Sequence, residues 1–82
     1  LQALLYPNPY KENYTIELQT ERNETIQIAL IDITGRSLDQ IDWNVHSGVN
    51  NIQPNWDQLA PGIYFVHLKG QDGEMNIKWI KR

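Results

Sequence analysis

The 82-residue chain contains no cysteine. That excludes a disulfide framework and a thiolate zinc site, so a small domain must hold itself together by packing alone. Long apolar runs are missing too, and with them any membrane-spanning helix or signal-peptide core. No apolar set recurs at helical spacing, which removes the amphipathic helix from the candidate elements. Basic residues are outnumbered: seven Lys and Arg against ten Asp and Glu leave a net charge of −3, the wrong sign for a nucleic-acid footprint.

The chemistry of common active sites is also lacking. His46 and His67 are the only histidines, and they do not fall at H-x-H, H-x-x-x-H or HExxH spacing. No serine stands in a Gly-x-Ser-x-Gly elbow, and no glycine-rich loop opens a helix. Asp39 with Asp42, or Asp72 with Glu74, would make carboxylate pairs, but each falls at a turn or on a polar strand face. A chain this short leaves little room for a sugar-holding groove between them. The expectation is a protein with no catalytic residue, no metal and no cofactor. Asn13-Tyr14-Thr15 and Asn23-Glu24-Thr25 match the glycosylation acceptor pattern, a triplet that arises often by chance.

What is present is apolar alternation of period two. Ala3 to Tyr6 reads as a short first strand. Tyr14, Ile16 and Leu18 alternate with polar residues; after the break at Glu21-Arg22-Asn23-Glu24, Ile26, Ile28 and Leu30 resume, so these two segments are expected to form a hairpin. Ile31 and Ile33 occupy the opposite phase, the mark of a central or bulged strand. Thr34-Gly35 makes a tight turn in which Gly35 adopts positive φ. Ile41, Trp43 and Val45 then alternate, with Leu38 out of phase and a bulge expected near Asp39-Gln40. Ser47-Gly48 ends that strand. Val49, Ile52 and Trp56 lie in an irregular edge segment containing Pro54. Such an edge can pair with another copy or with a translocon by strand addition.

Ala60-Pro61-Gly62-Ile63 fits a type II turn, with Pro at the second position and Gly at the third. Ile63 to Leu68 is the strongest strand, with Tyr64, Val66 and Leu68 on one face. Gly70-Gln71-Asp72-Gly73 turns the chain into a closing strand bearing Met75, Ile77 and Trp79. About seven strands at spacings of roughly ten residues predict an all-β, immunoglobulin-like sandwich of mostly antiparallel strands, with a small barrel as the alternative. No repeat, low-complexity tract or linker divides the chain, so residues 1–82 form one domain. Starting at Leu1 rather than Met, it reads as a fragment of a longer protein.

Of the three tryptophans, Trp43 and Trp79 share phase with Ile41 and Ile77 and are expected in the core. Trp56 is expected to be exposed. With Tyr6 and Tyr10 it is the candidate glycan contact if the domain is a carbohydrate-binding or adhesive module; a plain structural spacer is a third reading. Lys78, Lys81 and Arg82 make the end of the chain basic, either as an edge-strand guard or as part of a recognition surface.

Five elements stand in order: Tyr6-Pro7-Asn8-Pro9, Asp32-x-x-Gly35-Arg36, Gly48-x-Asn50, Leu59-x-x-Gly62-Ile63-Tyr64-x-Val66, and Lys78-Trp79-Ile80-Lys81. Together they resemble the C-terminal sorting domain of type IX (Por) secretion substrates of the Bacteroidetes, across essentially the whole chain. Arg82, following the terminal lysine, departs from that pattern. Physical roles can be given for the residues themselves. Pro7 and Pro9 fix φ and withhold N–H donors, ending the first strand, and Asn8 between them satisfies local backbone groups. Arg36 offers a planar fork for a carboxylate, either Asp32 or an acidic partner surface. Tyr64 offers a ring to the core and a hydroxyl to a backbone acceptor.

The resemblance implies a non-catalytic signal at the end of a secreted enzyme or adhesin. Its cargo would cross the inner membrane by a signal peptide, transit the periplasm, and pass the outer membrane through the type IX machinery to the cell surface. There a cysteine-protease-like sortase would remove the domain, cutting at or before Leu1 and often joining the cargo to an anionic lipopolysaccharide. Candidate recognition residues are Asn8, Gly35, Arg36, Lys78 and Lys81; Pro7, Pro9, Asp32, Gly62 and Tyr64 are expected to support the fold.

Overall fold

The computed structural model describes residues 2–7, 13–71 and 73–82; Asn8, Pro9, Tyr10 and Asp72 lie outside the described residues. Seven strands follow in order: β1 (Gln2–Pro7), β2 (Tyr14–Thr20), β3 (Glu24–Asp32), β4 (Ser37–Val45), β5 (Gly48–Ile52), β6 (Gly62–Gly70) and β7 (Gly73–Lys81). They form a three-stranded sheet ordered β1-β2-β5 and a four-stranded sheet ordered β4-β3-β6-β7. Every pairing is antiparallel. The fold is a β-sandwich whose strand order follows the immunoglobulin-like plan, in which one sheet pairs the second strand with the fifth and the other pairs the third with the sixth. β1 and β7, edges of different sheets, approach one another on one side.

The alternation becomes a core because two apolar faces have only each other to cover them. Ile16 and Leu18 of β2 are fully buried, as are Ile26 and Leu30 of β3 and Val66 and Leu68 of β6. Burying one such aliphatic side chain contributes about 1.5–3 kcal/mol, so this layer is the main source of stability. Its geometry corrects one expectation: β2 and β3 are not a hairpin. Glu21-Arg22-Asn23 carries the chain from one sheet to the other, and β2 pairs with β1 and β5 while β3 pairs with β4 and β6. A hairpin would set both apolar faces on one sheet; the crossover brings them together across the core. Asn23 supports it, its Oδ1 accepting the Ser47 N–H at 2.9 Å, so this asparagine serves the backbone.

β3 is both central and irregular. The register shifts at Leu30/Ile31, where Leu30 faces Asp39 and Ile31 faces Ser37. Leu38 is therefore the extra residue, one position before the expected bulge, which is why it stands out of phase.

The expected type II turn at Ala60–Ile63 does not form. Among glycines only Gly35, Gly48 and Gly73 have positive φ, and Gly62 is the first residue of β6, paired with Lys81. A Cβ at Gly62 would meet Tyr64 at an ordinary 3.9 Å. The corner is closed instead by Tyr64, whose hydroxyl donates to the Ala60 carbonyl. A tyrosine at the start of the sixth strand, bonded back a few residues upstream, is the tyrosine corner of immunoglobulin-like sandwiches.

Gly70 is favoured for a different reason. A Cβ there would lie 2.7 Å from both Ile26 Cδ1 and Glu24 Oε1. That close approach lets Glu24 accept the Gln71 N–H at 2.8 Å and tie down the β6–β7 turn.

Candidate recognition surface

The strand register gathers most of the motif residues at one end of the sandwich. Asp32 stands opposite Tyr64, and Tyr64 opposite Trp79. Gly62 stands opposite Lys81. Pro7 ends β1 opposite Tyr14, and the Tyr14 ring meets Trp79 edge-on with centroids 4.9 Å apart. Residues distant in the chain thus share one end because their strands all start or stop there.

The turn after β3 is built on Asp32. Its Oδ1 accepts the Thr34 N–H at 2.9 Å, the Thr34 hydroxyl at 2.6 Å and the Arg36 N–H at 3.0 Å. Its Oδ2 accepts Arg36 Nε at 3.2 Å. Gly35 N donates to Asp32 O at 3.0 Å, and Gly35 has φ +90°. An aspartate starting the turn and a glycine in the left-handed region three residues on is what this loop chemistry demands. These bonds, led by the Thr34 hydroxyl and the Arg36 amide, with a smaller Coulombic contribution from the Arg36 charge, hold the Asp32 carboxyl below its ordinary value. The Arg36 side chain is 75 % exposed while Asp32 is 15 % exposed. Arg36 therefore pairs with Asp32 and still presents the rest of its guanidinium to solvent.

Lys81 does something that sequence reasoning missed. Its Nζ donates to the carbonyls of Trp56 at 3.0 Å, Asp57 at 2.7 Å and Leu59 at 2.7 Å. An ammonium with three donors and no acceptor suits three converging carbonyls. The lysine clamps the β5–β6 loop onto the end of β7. The signal was the pairing of Lys81 with Gly62 across two strand ends, which a one-dimensional reading does not show.

That clamp explains the largest correction. Trp56, expected on the surface, is only 5 % exposed. Its ring lies 5.5 Å from Trp79, its Nε1 donates to Asp39 Oδ2 at 2.8 Å, and Trp79 in turn lies 5.4 Å from Tyr64. A buried indole with its one donor used offers no face for a sugar to stack on. Trp79 is core, as expected, and Trp43, expected there too, is only half-buried against the hydrophobic core. Asn50, at the opposite end, is also buried; its side chain accepts His46 N at 3.1 Å and donates to His46 O at 2.7 Å, shaping the β4–β5 turn.

A family model described as the secretion system C-terminal sorting domain matches residues 4–82. The chain belongs to that family. No curated protein and no solved structure matches it.

As a type IX sorting domain it marks a protein for export across the outer membrane and implies an interaction with the type IX machinery. On the sorting domain, Lys78 lies on the outer face of the four-stranded sheet opposite Phe65, one row in from the motif end. The histidines have local partners. His67 Nε2 lies 3.0 Å from Glu74 Oε2, and His46 Nδ1 lies 2.9 Å from Ser47 O.

Proposed function

We propose that residues 1–82 are the non-catalytic C-terminal signal of a longer secreted protein of the Bacteroidetes. The domain folds in the periplasm, is read there by the type IX machinery, and carries its cargo through the outer membrane. At the surface a sortase removes it with a cut N-terminal to β1, which would break no strand pair.

The observation that carries this reading is the family match across residues 4–82, together with the meeting of Asp32, Gly35, Arg36, Gly62, Tyr64 and Lys81 at one end of the sandwich. A non-catalytic role is supported by what the motif side chains do. Asp32, Tyr64 and Lys81 are committed to backbone groups, and a group that holds a loop in place is not free to exchange protons with a substrate. Arg36, Lys78 and Asn8 are proposed as contacts for the machinery, while Lys81 and Pro7 shape the end that is read.

The test fuses the domain to a reporter bearing a signal peptide in a type IX-competent bacterium. Surface-exposed reporter, with the domain removed, is expected. An intact, folded fusion retained in the periplasm refutes the reading.

A further inference from the structure

The outer face of the four-stranded sheet is divided along its length. Away from the motif end it is polar, with Lys69 between Gln27 and Glu74 in one cross-strand row and His67 beside Asn76 in the next. Toward the motif end it turns apolar. Ile31 faces Phe65, and Ile63 faces Ile80. Ile33, just past the end of β3, is 67 % exposed, and Ile80 is 48 % exposed. Contiguous apolar surface on a small soluble domain marks a contact site more often than chance placement does.

The net charge beside this patch is positive, because its one acid is already paired. Lys78 is exposed beside Phe65 and has no ion-pair partner among the described residues. Arg36 stands in the adjoining turn with its side chain 75 % exposed. Asp32, the acid of that turn, already holds Arg36 and two backbone amides. Asp39 stands opposite buried Leu30, on the core side of the sheet. In a chain with a net charge of −3, this is a local excess of positive charge.

Resting on the sorting reading, we infer that this apolar patch, formed by Ile31, Ile33, Ile63, Phe65 and Ile80 and rimmed by Lys78 and Arg36, docks an apolar protein surface edged with carboxylates on the export machinery. Charge selects this occupant over a second copy. A two-fold contact through the patch would set Lys78 and Arg36 near their own images, and like charges facing each other destabilise an interface.

The experiment compares export of the reporter fusion carrying wild-type domain, Lys78→Glu, Ile33→Ser with Ile80→Ser, or the control Val49→Ser. Val49 is 53 % exposed on the other sheet. Lys78→Glu and the double variant are expected to lower surface reporter by about tenfold or more, the loss seen when an anchor residue is removed from an interface. Val49→Ser is expected to export normally, and all purified domains to melt close to wild type. Lys78→Glu changes an exposed edge-strand side chain, so it keeps the test meaningful even if the double variant unfolds. Full export of the folded patch variants overturns the docking surface and leaves the sorting reading standing, whereas failure of the wild-type fusion overturns the sorting reading itself. Sedimentation of the purified domain as a dimer broken by Ile80→Ser overturns the inference in favour of a second copy. Co-sedimentation with anionic phospholipid vesicles, lost in Lys78→Glu, overturns it in favour of a lipid surface.

Discussion

Replacing Lys81 with Met isolates the clamp from the strand that carries it. Methionine keeps the unbranched apolar stem and removes only the ammonium, so β7 and its pairing to Gly62 are preserved. Three charge-assisted hydrogen bonds are lost, to the carbonyls of Trp56, Asp57 and Leu59. They are not equal. Asp57 is exposed, and its carbonyl can turn to water at little cost. The bonds to Trp56 and Leu59 are partly buried, and each is worth about 1–1.5 kcal/mol once partial hydration is allowed for. The expected destabilisation is about 2–3 kcal/mol, which for a domain of this size lowers Tm by about 10–20 °C. The loss is local in origin, so Trp56 should loosen from Trp79. Near-UV circular dichroism at low temperature should weaken before the far-UV β signal does. Lys81→Arg is expected to fall between the two, because a planar guanidinium cannot aim three donors at three converging carbonyls. A Lys81→Met domain that melts within a degree or two of wild type, with unchanged tryptophan signals, refutes the clamp and returns Lys81 to the surface. Deleting Lys78 to Arg82 cannot substitute for this test, because it also removes Trp79, which is 3 % exposed at the centre of the aromatic cluster.

Two further outcomes follow from the packing and the turn. Gly70→Ala sets a Cβ against Ile26 and Glu24 and should cost about 1–3 kcal/mol by overpacking, read in urea unfolding; Gly62→Ala, which meets only an ordinary contact, should cost far less, and equal losses would refute the distinction. The lowered carboxyl of Asp32 contributes stability that is complete at neutral pH, above the ordinary carboxylate range, and is lost as pH falls through its folded-state value. Asp32→Asn should therefore flatten the acid limb of the stability curve, and an unchanged limb in a pH series of thermal melts would count against it.

Much of the β architecture was legible because strand periodicity is a local property. Ile16 and Leu18, or Tyr64, Val66 and Leu68, announce a buried face within five residues. Gly35 and Asp32 were legible for the same reason: a turn closes on itself over four residues. The β2–β3 hairpin was misread because the polar break at Glu21–Glu24 looks alike whether the chain turns back within a sheet or crosses to the other. Gly62 was misread because Pro-Gly fits a type II turn locally, while the corner is closed by the Tyr64 hydroxyl from the following strand.

The sequence by itself determined which face of most strands points inward, the turn at Asp32 to Arg36, and the family to which it belongs, since each is written in spacing and order. Only the tertiary structure decided which sheet each strand joins, that Trp56 is buried, and that Lys81 holds the loop over it. Those outcomes depend on groups far apart in the chain meeting in space, 22 to 25 residues apart for the bonds of Lys81. Their energies belong to the pair, and neither partner carries a mark of the other along the chain.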